Sequence, residues 1–503
     1  MRGVRRRARR HLAALVGLAA VAAAAVAAVA LPGGAQAIRP VPCAGERMEH
    51  VTVAPVLNRA FNNHSVQVGA NCDSWQDFIY LNWPARTGSV GRPSSAPATA
   101  LGRPGAQRPT VWQSYPEASR VFADPARALT VPDTALPRLD EFQQTGGGWL
   151  TSVSGKPVYY EVRLNPDMVQ WIAENHLDTR AGQVACARAA GGFNLPHGGP
   201  APGAAGMPDT GPDTNCAGAV RTYGLNVGSI LVKAAWMELP ADGSLDSRYL
   251  TERARLVDPA TGSEHVATVG LVGFHIARKQ PGAEKLIWAT FEQIDNVPDD
   301  PGGTRPRLPA NAPAEAAERS SYAFFDPACR PAASANRCVA NAATGVACVK
   351  GAAPAGCHAV SLPVQVTRLT PIGGEADEAT ADAWGAIARA QAPGAIDSVL
   401  RYYRLVDVQW PADDVAPLAP GATAPLGVAD LIPAKSTRIV ANSTIETFVQ
   451  SRQTCMDCHA QAAIATPDTV AAALRTPAAV RARLRAPQLA SDFTFVFAVE
   501  TRR

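Results

Sequence analysis

Apolar positions along the chain fall into two periodicities. Trp75, Phe78, Ile79 and Trp83 recur three and four residues apart and stop at Pro84, which predicts a helix with one buried stripe. Asn165-Pro166 reads as cap and first residue of a second helix, with Met168, Trp171 and Ile172 on one face. Residues 379–390 predict a third. Ser443 and Glu446 have the S-x-x-E spacing of a capping box, predicting a helix through Ile445, Phe448 and Val449. Residues 229–239 (SILVKAAWMEL), 266–276 (VATVGLVGFHI) and 286–294 (LIWATFEQI) read as strands, the last two joined like a hairpin. Residues 402–410 and 493–499 are further strand candidates.

With 41 Gly and 42 Pro, the connections are long. Residues 87–109, 191–212, 298–319 and 416–426 read as loops. The expected class is α+β and loop-rich, with a central antiparallel sheet. The expected organisation is a leader over 1–37, a large α+β domain over 38–426 and a small C-terminal helical segment over 427–503.

The leader is read from Arg2, Arg5, Arg6, Arg7, Arg9 and Arg10, an apolar run over 12–30, and the small-residue triplet Ala35-Gln36-Ala37. A retained membrane anchor is the competing reading, because the run approaches the roughly 20 residues that span a bilayer. Pro32-Gly33-Gly34 and the cleavage triplet favour export, and periplasmic localisation is expected. Loss of the six arginines would take the formal charge from +4 to −2. A nucleic-acid partner thereby loses its electrostatic basis. No second apolar span follows, so no membrane span is expected after cleavage.

Ten cysteines fit an oxidising compartment. Eight of them form an even set, and proximity suggests Cys43 with Cys72, Cys186 with Cys216, and two bridges within 329–357. The remaining two belong to Cys455-Met456-Asp457-Cys458-His459, the C-x-x-C-H signature of covalent haem attachment. On one helical turn, residues i, i+3 and i+4 share a face. Two thiols can then bond the haem vinyl groups while the imidazole takes the iron. A thioredoxin-type pair would sit early, between a strand and a helix. A zinc site would want a second ligand pair nearby, and no Cys or His follows His459.

The absence of Met and His after His459 also excludes the usual downstream sixth ligand. The iron is then five-coordinate, or its distal ligand comes from upstream. Candidates are Met48, Met168, Met207, Met237, His50, His64, His176, His197, His265, His275 and His358, with Lys233 as a neutral amine. His275 is preferred, since it shares a strand face with Val269, Leu271 and Gly273, although a histidine so placed is more often a hydrogen-bonded core residue. The cluster Trp75, Phe78, Tyr80 and Trp83 could shield a haem but reads first as core. Glu292 with Asp295-Asn296 reads as the turn ending a strand.

Several blocks resemble a group of exported bacterial proteins described as cytochrome c family proteins. They are SWQDFIYLNWPA (74–85), VKAAWMEL (232–239), GFHIARK (273–279), WATFEQIDNVP (288–298), YYRLVDVQWP (402–411), ANSTIETFVQ (441–450) and CMDCHA (455–460). The resemblance implies haem binding at Cys455, Cys458 and His459, and electron-transfer activity. It implies no substrate and no distal ligand. The expected function is thus a periplasmic monohaem c-type cytochrome carrying one covalent haem c, serving a redox partner protein or a small-molecule substrate. The alternatives are a haem enzyme reducing peroxide or oxidising a small molecule, and a haem-based protein that binds a small ligand.

Overall fold

The structure, a computed structural model, describes residues 48, 51, 67–105, 109–130, 136–143, 148–199, 211–299, 307–318, 321–329, 338–342, 346–348, 357–359, 365–393, 395, 397–411, 416–426, 439–451, 454–465 and 488–500. The expected leader, Cys43, His50, His64 and Met207 lie outside these. So do the side chains of Cys348, Cys357 and His358.

Seven strands build the main sheet: β1 (Arg138–Leu139), β2 (Val158–Leu164), β3 (Ile230–Glu238), β4 (Thr251–Val257), β5 (Glu264–Gln280), β6 (Ala283–Gln293) and, later in the chain, β9 (Tyr403–Gln409). Two small pairs stand apart, β7 (Val346–Cys348) with β8 (Cys357–Ala359) and β10 (Thr423–Ala424) with β11 (Gln488–Leu489). The long strand β5 organises everything. Along one edge it pairs with β3. Along the other, residues from Glu264 to Gly270 pair with β4 and residues from Gly273 to Gln280 with β6, which continues to β9.

The sheet is mixed rather than wholly antiparallel as expected. Most of its strand pairs are antiparallel, but β1 runs parallel to β4. The reason is arithmetic. The order β2-β3-β5-β4-β1 nearly closes on itself, because Tyr160 of β2 donates its N–H to the Glu141 carbonyl just past β1, at 2.7 Å, in an antiparallel bridge. A ring of an odd number of strands cannot alternate direction throughout, so one junction must be parallel.

The helices cover both faces. In chain order they are α1 (Gln67–Leu81), α2 (Ala118–Ala123), α3 (Pro125–Ala128), α4 (Pro166–Glu174), α5 (Arg180–Arg188), α6 (Ala314–Glu318), α7 (Gly374–Ala390), α8 (Cys455–His459) and α9 (Val496–Glu500). On one face, α1 and α7 pack on β5, β6 and β9. Phe78 stacks on Phe291 with centroids 4.3 Å apart, and Trp75 meets Phe291 edge-on at 5.1 Å. The aromatic cluster of α1 is therefore core, on the face opposite His275, as the alternation of Phe274 and His275 along β5 requires. On the other face, α4, α5 and the C-terminal residues Met456, Phe493 and Phe497 share a core with Leu231, Ala277, Leu286 and Trp288. With both faces covered, every residue of β6 and β9 is buried.

Several expected elements are present, including α4 with its Asn165 cap, which accepts from Met168 N at 3.2 Å. Two are not. Residues 493–499 do not form a strand. Asp492 and Phe493 adopt positive φ values of 50° and 61°, and the chain then enters α9. The alternating aromatics that mimic a strand are placed by this turn, with Phe493 and Phe497 in one core. Nor do residues 443–450 form a helix: they are a series of turns. Ser443 gives both its N–H and its Oγ–H to the Glu292 carboxylate at 2.6 Å, so it caps nothing.

Two of the expected disulfides are formed, Cys186–Cys216 and Cys329–Cys338. Cys72 is disulfide-bonded as well, and Cys348 and Cys357 are register partners on β7 and β8. Among the described residues no helix is long and apolar enough to cross a membrane.

Candidate functional site

The C-x-x-C-H motif occupies α8, a single capped turn. Thr454 Oγ1 accepts from Asp457 N and the Asp457 carboxylate accepts from Thr454 N, both at 3.0 Å. The capping box expected at Ser443 and Glu446 is thus found eleven residues later. Cys455 N donates to Gln409 Oε1 at 3.0 Å, fastening the start of the turn to β9. At its far end the Ala460 carbonyl accepts from Leu426 N at 2.9 Å. Met456 is fully buried in the core, while Cys455, Cys458 and His459, at i, i+3 and i+4, share a face of the turn.

Both thiols are free. Burial raises the pKa of Cys455 well above the usual thiol value and pushes that of Cys458 to about 11. Cys72, Cys186, Cys216, Cys329 and Cys338 are by contrast disulfide-bonded.

His459 is held on three sides. Its ring lies over the Trp288 indole, centroids 3.7 Å apart and planes 31° from parallel, and Phe495 flanks it at 5.4 Å. Nδ1 lies 2.9 Å from the Phe493 carbonyl oxygen. A carbonyl only accepts, so Nδ1 carries the proton and Nε2 keeps its lone pair. Burial drives the imidazole pKa down to about 3 against the opposing pull of that hydrogen bond, and a neutral ring follows at ordinary pH.

Facing this turn is a row of side chains across the sheet. Lys233 of β3 pairs in register with His275 of β5, His275 with Thr290 of β6, and Thr290 with Asp407 of β9. His275, Glu446 and Lys233 all lie within electrostatic reach of His459, and Glu446 and Lys233 within reach of Cys458. His275 is buried, and its Nε2 lies 3.3 Å from Glu446 Oε2, off the line of a hydrogen bond. Glu446 Oε2 also accepts from Asn442 N at 2.8 Å. Positive neighbours hold the Glu446 carboxyl below its usual range despite burial. Burial lowers the pKa of Lys233, whose ammonium lies 5.5 Å over the Tyr160 ring. Gly273 makes room for the 442–446 turn: a Cβ there would stand 2.2 Å from Thr444 Oγ1 and 2.8 Å from Asn442 Oδ1.

Of the expected site residues, Cys455, Cys458 and His459 share α8, and His275 belongs to the same electrostatic neighbourhood. Lys233 belongs to it as well, and the other described candidates lie elsewhere. Met168 and Met237 are core residues, and Met48 is buried with α1. His197 sits between Asp213 and Glu284, 3.5 Å from each. His265 pairs with Glu238 at 3.2 Å, and His176 follows α4 at a positive φ of 54°. Glu292 is fully buried against Arg368 and Ser443, and Asp295 pairs with Arg248 at 2.8 Å. Trp288, Gln409, Glu446 and Phe493 are not legible as site residues, because each reaches the site through long-range contacts: a ring, a carboxamide oxygen, a carboxylate and a backbone carbonyl.

The donor set fits haem c: two unpaired thiols one turn apart, and a neutral imidazole whose second nitrogen is already committed to a carbonyl, the usual arrangement for a metal-ligating histidine. Among the described residues, no group of three or more His, Cys, Asp or Glu side chains is gathered to hold a metal ion by itself. No protein-family model, curated protein or solved structure matches this chain, so its reading rests on the residues themselves.

Proposed function

We propose that the protein is an exported, periplasmic monohaem c-type cytochrome that acts in electron transfer and belongs with the exported cytochrome c family proteins it resembles. One observation carries the reading. Cys455 and Cys458 are free thiols beside a neutral His459 whose Nδ1 proton is given to Phe493. Cys455 and Cys458 would hold one haem c by thioether bonds, with His459 Nε2 on its iron in the C-terminal segment. The bound group supplies a one-electron ferrous–ferric couple.

The chain's own residues do the rest. The Phe493 carbonyl fixes the tautomer and direction of His459. Trp288 covers the imidazole face and excludes water. His275, Lys233 and Glu446 set the polarity opposite α8, with His275 as the candidate distal ligand. The electron partner is a redox protein or a small molecule. Expression in a host competent in cytochrome maturation tests the reading, since the purified chain is expected to carry a haem-staining pigment that survives denaturing electrophoresis. A colourless chain from that host would overturn it.

A second reading has its own support. The His275–Glu446 pair, a buried histidine with a half-buried carboxylate within electrostatic reach of His459, has the composition of an acid–base couple. It suits a haem enzyme reducing peroxide or oxidising a small molecule, or a protein that captures a small ligand, if the distal position is open. A high-spin spectrum that changes with cyanide or carbon monoxide favours these. A low-spin, inert one favours electron transfer alone.

A further inference from the structure

Behind the turn that receives His459 lies a buried ion pair that no step above requires. Lys279, at the end of β5, places Nζ 3.0 Å from Asp492 Oδ2, and both side chains are completely buried. The same carboxylate oxygen accepts from Leu195 N at 2.8 Å. Glu284 approaches Lys279 only to 3.8 Å. A buried ion pair is a poor source of stability, since desolvation offsets its attraction, and its best-attested use is to specify a geometry. Here the geometry is unusual. Asp492 and Phe493 are consecutive non-glycine residues at positive φ, a region that side chains disfavour and that persists only where surroundings impose it. Phe493 is the residue whose carbonyl meets His459 Nδ1.

We propose that Lys279 and Asp492 are positioning residues for His459: their ion pair fixes the 491–494 turn, holds the Phe493 carbonyl on Nδ1 and thereby sets the donor strength of Nε2. The inference rests on the haem reading. A hydrogen bond given by Nδ1 raises the basicity of the ligating nitrogen. A more basic ligand favours the oxidised metal, so loosening the turn raises the reduction potential.

The test uses the full chain loaded with haem, as parent, Lys279→Met, Asp492→Asn and Lys279→Arg. Covalent haem is read on a denaturing gel and the midpoint potential by spectroelectrochemistry. Lys279→Met and Asp492→Asn are both expected to retain pigment and to shift the potential upward, and Lys279→Arg to return it toward the parent value. Shifts of opposite sign would show a through-space charge effect, and unchanged potentials a merely structural pair; either overturns the proposal. Should these variants not accumulate, nitrogen-15 spectra of the histidine-labelled parent decide: a slowly exchanging His459 Nδ1 proton is expected, and rapid exchange overturns the clamp. If the parent takes up no haem, the haem reading fails on its own, and the same spectra of the haem-free chain still test the clamp.

Discussion

The indole of Trp288 lies beneath the imidazole of His459, ring centroids 3.7 Å apart. Trp288 belongs to β6 and pairs in register with Ala277 and Gln409. Gln409 in turn holds Cys455 N. One register row of the sheet therefore supports both ends of the C-x-x-C-H turn.

Removing that support has two expected effects. Trp288→Ala should destabilise the protein by about 3–5 kcal/mol, the range for truncating a buried aromatic, as read from urea midpoints. It should also lower the yield of covalent haem, because His459 loses its platform. A variant with full haem occupancy would remove Trp288 from the site.

Each thiol is expected to contribute one thioether bond. Cys455→Ser and Cys458→Ser should each leave a singly attached haem with a displaced absorption band. The double variant should lose all pigment under denaturing conditions. Mass spectrometry of the intact chain checks this, and persistent staining of the double variant contradicts the assignment.

His275→Ala probes the distal side. If His275 ligates the iron, a low-spin spectrum becomes high-spin and the variant binds carbon monoxide. If His275 acts instead as an acid–base group, the spectrum holds and turnover with peroxide falls. An unchanged spectrum with unchanged reactivity assigns the residue to packing alone.

Glu252 provides a pH dependence away from the C-x-x-C-H turn. Burial pushes its carboxyl up to about 7, with Glu161 and Glu117 adding to the rise and Arg163 opposing it. Between its ordinary value near 4.5 and about 7 the folded state binds a proton that the unfolded chain has released. Stability contributed by this group is therefore present at low pH and lost as pH rises through that window. Glu252→Gln, which keeps an acceptor for Gln113, should gain stability over the parent as pH rises across the window and hold a constant lead above it. Urea midpoints measured from pH 4 to 8 check the sign.

The Cys186–Cys216 bridge spans a separation of 30 residues and joins α5 to the core that receives α8 and α9. Replacing both cysteines by alanine should cost about 3–4 kcal/mol by the loop-entropy relation. Denaturation of the variant beside the reduced parent measures it.

Much of the sheet is legible in the sequence because β3, β5, β6 and β9 carry long apolar runs that only a two-sided core explains. β2 and β4 escape notice: VYYEVRL and TERARLV interleave charges, and Glu161 and Arg163 are buried inward as a mutual pair at 2.7 Å. The proposed haem-attachment residues are legible because the C-x-x-C-H signature is written in contiguous residues. His275 is legible as an isolated polar residue in an apolar strand. Its neighbour Glu446 is hidden, since the spacing that suggests a cap is used instead to bring a carboxylate to the histidine. The Phe493 carbonyl is hidden for a deeper reason. It depends on positive φ at two residues that are not glycine, a state imposed by Lys279 from a distant strand.

Strand β5 serves the curved, nearly closed half of the sheet with its first residues and the open half with its last. Neither half owns a complete set of backbone partners without it. No cut in the chain can liberate the C-x-x-C-H segment as a small, independently folded unit: the platform for its histidine lies on β6, which is held in place by the same strand that closes the ring. The protein should accordingly melt as one cooperative body, and fragments ending before β9 should be insoluble.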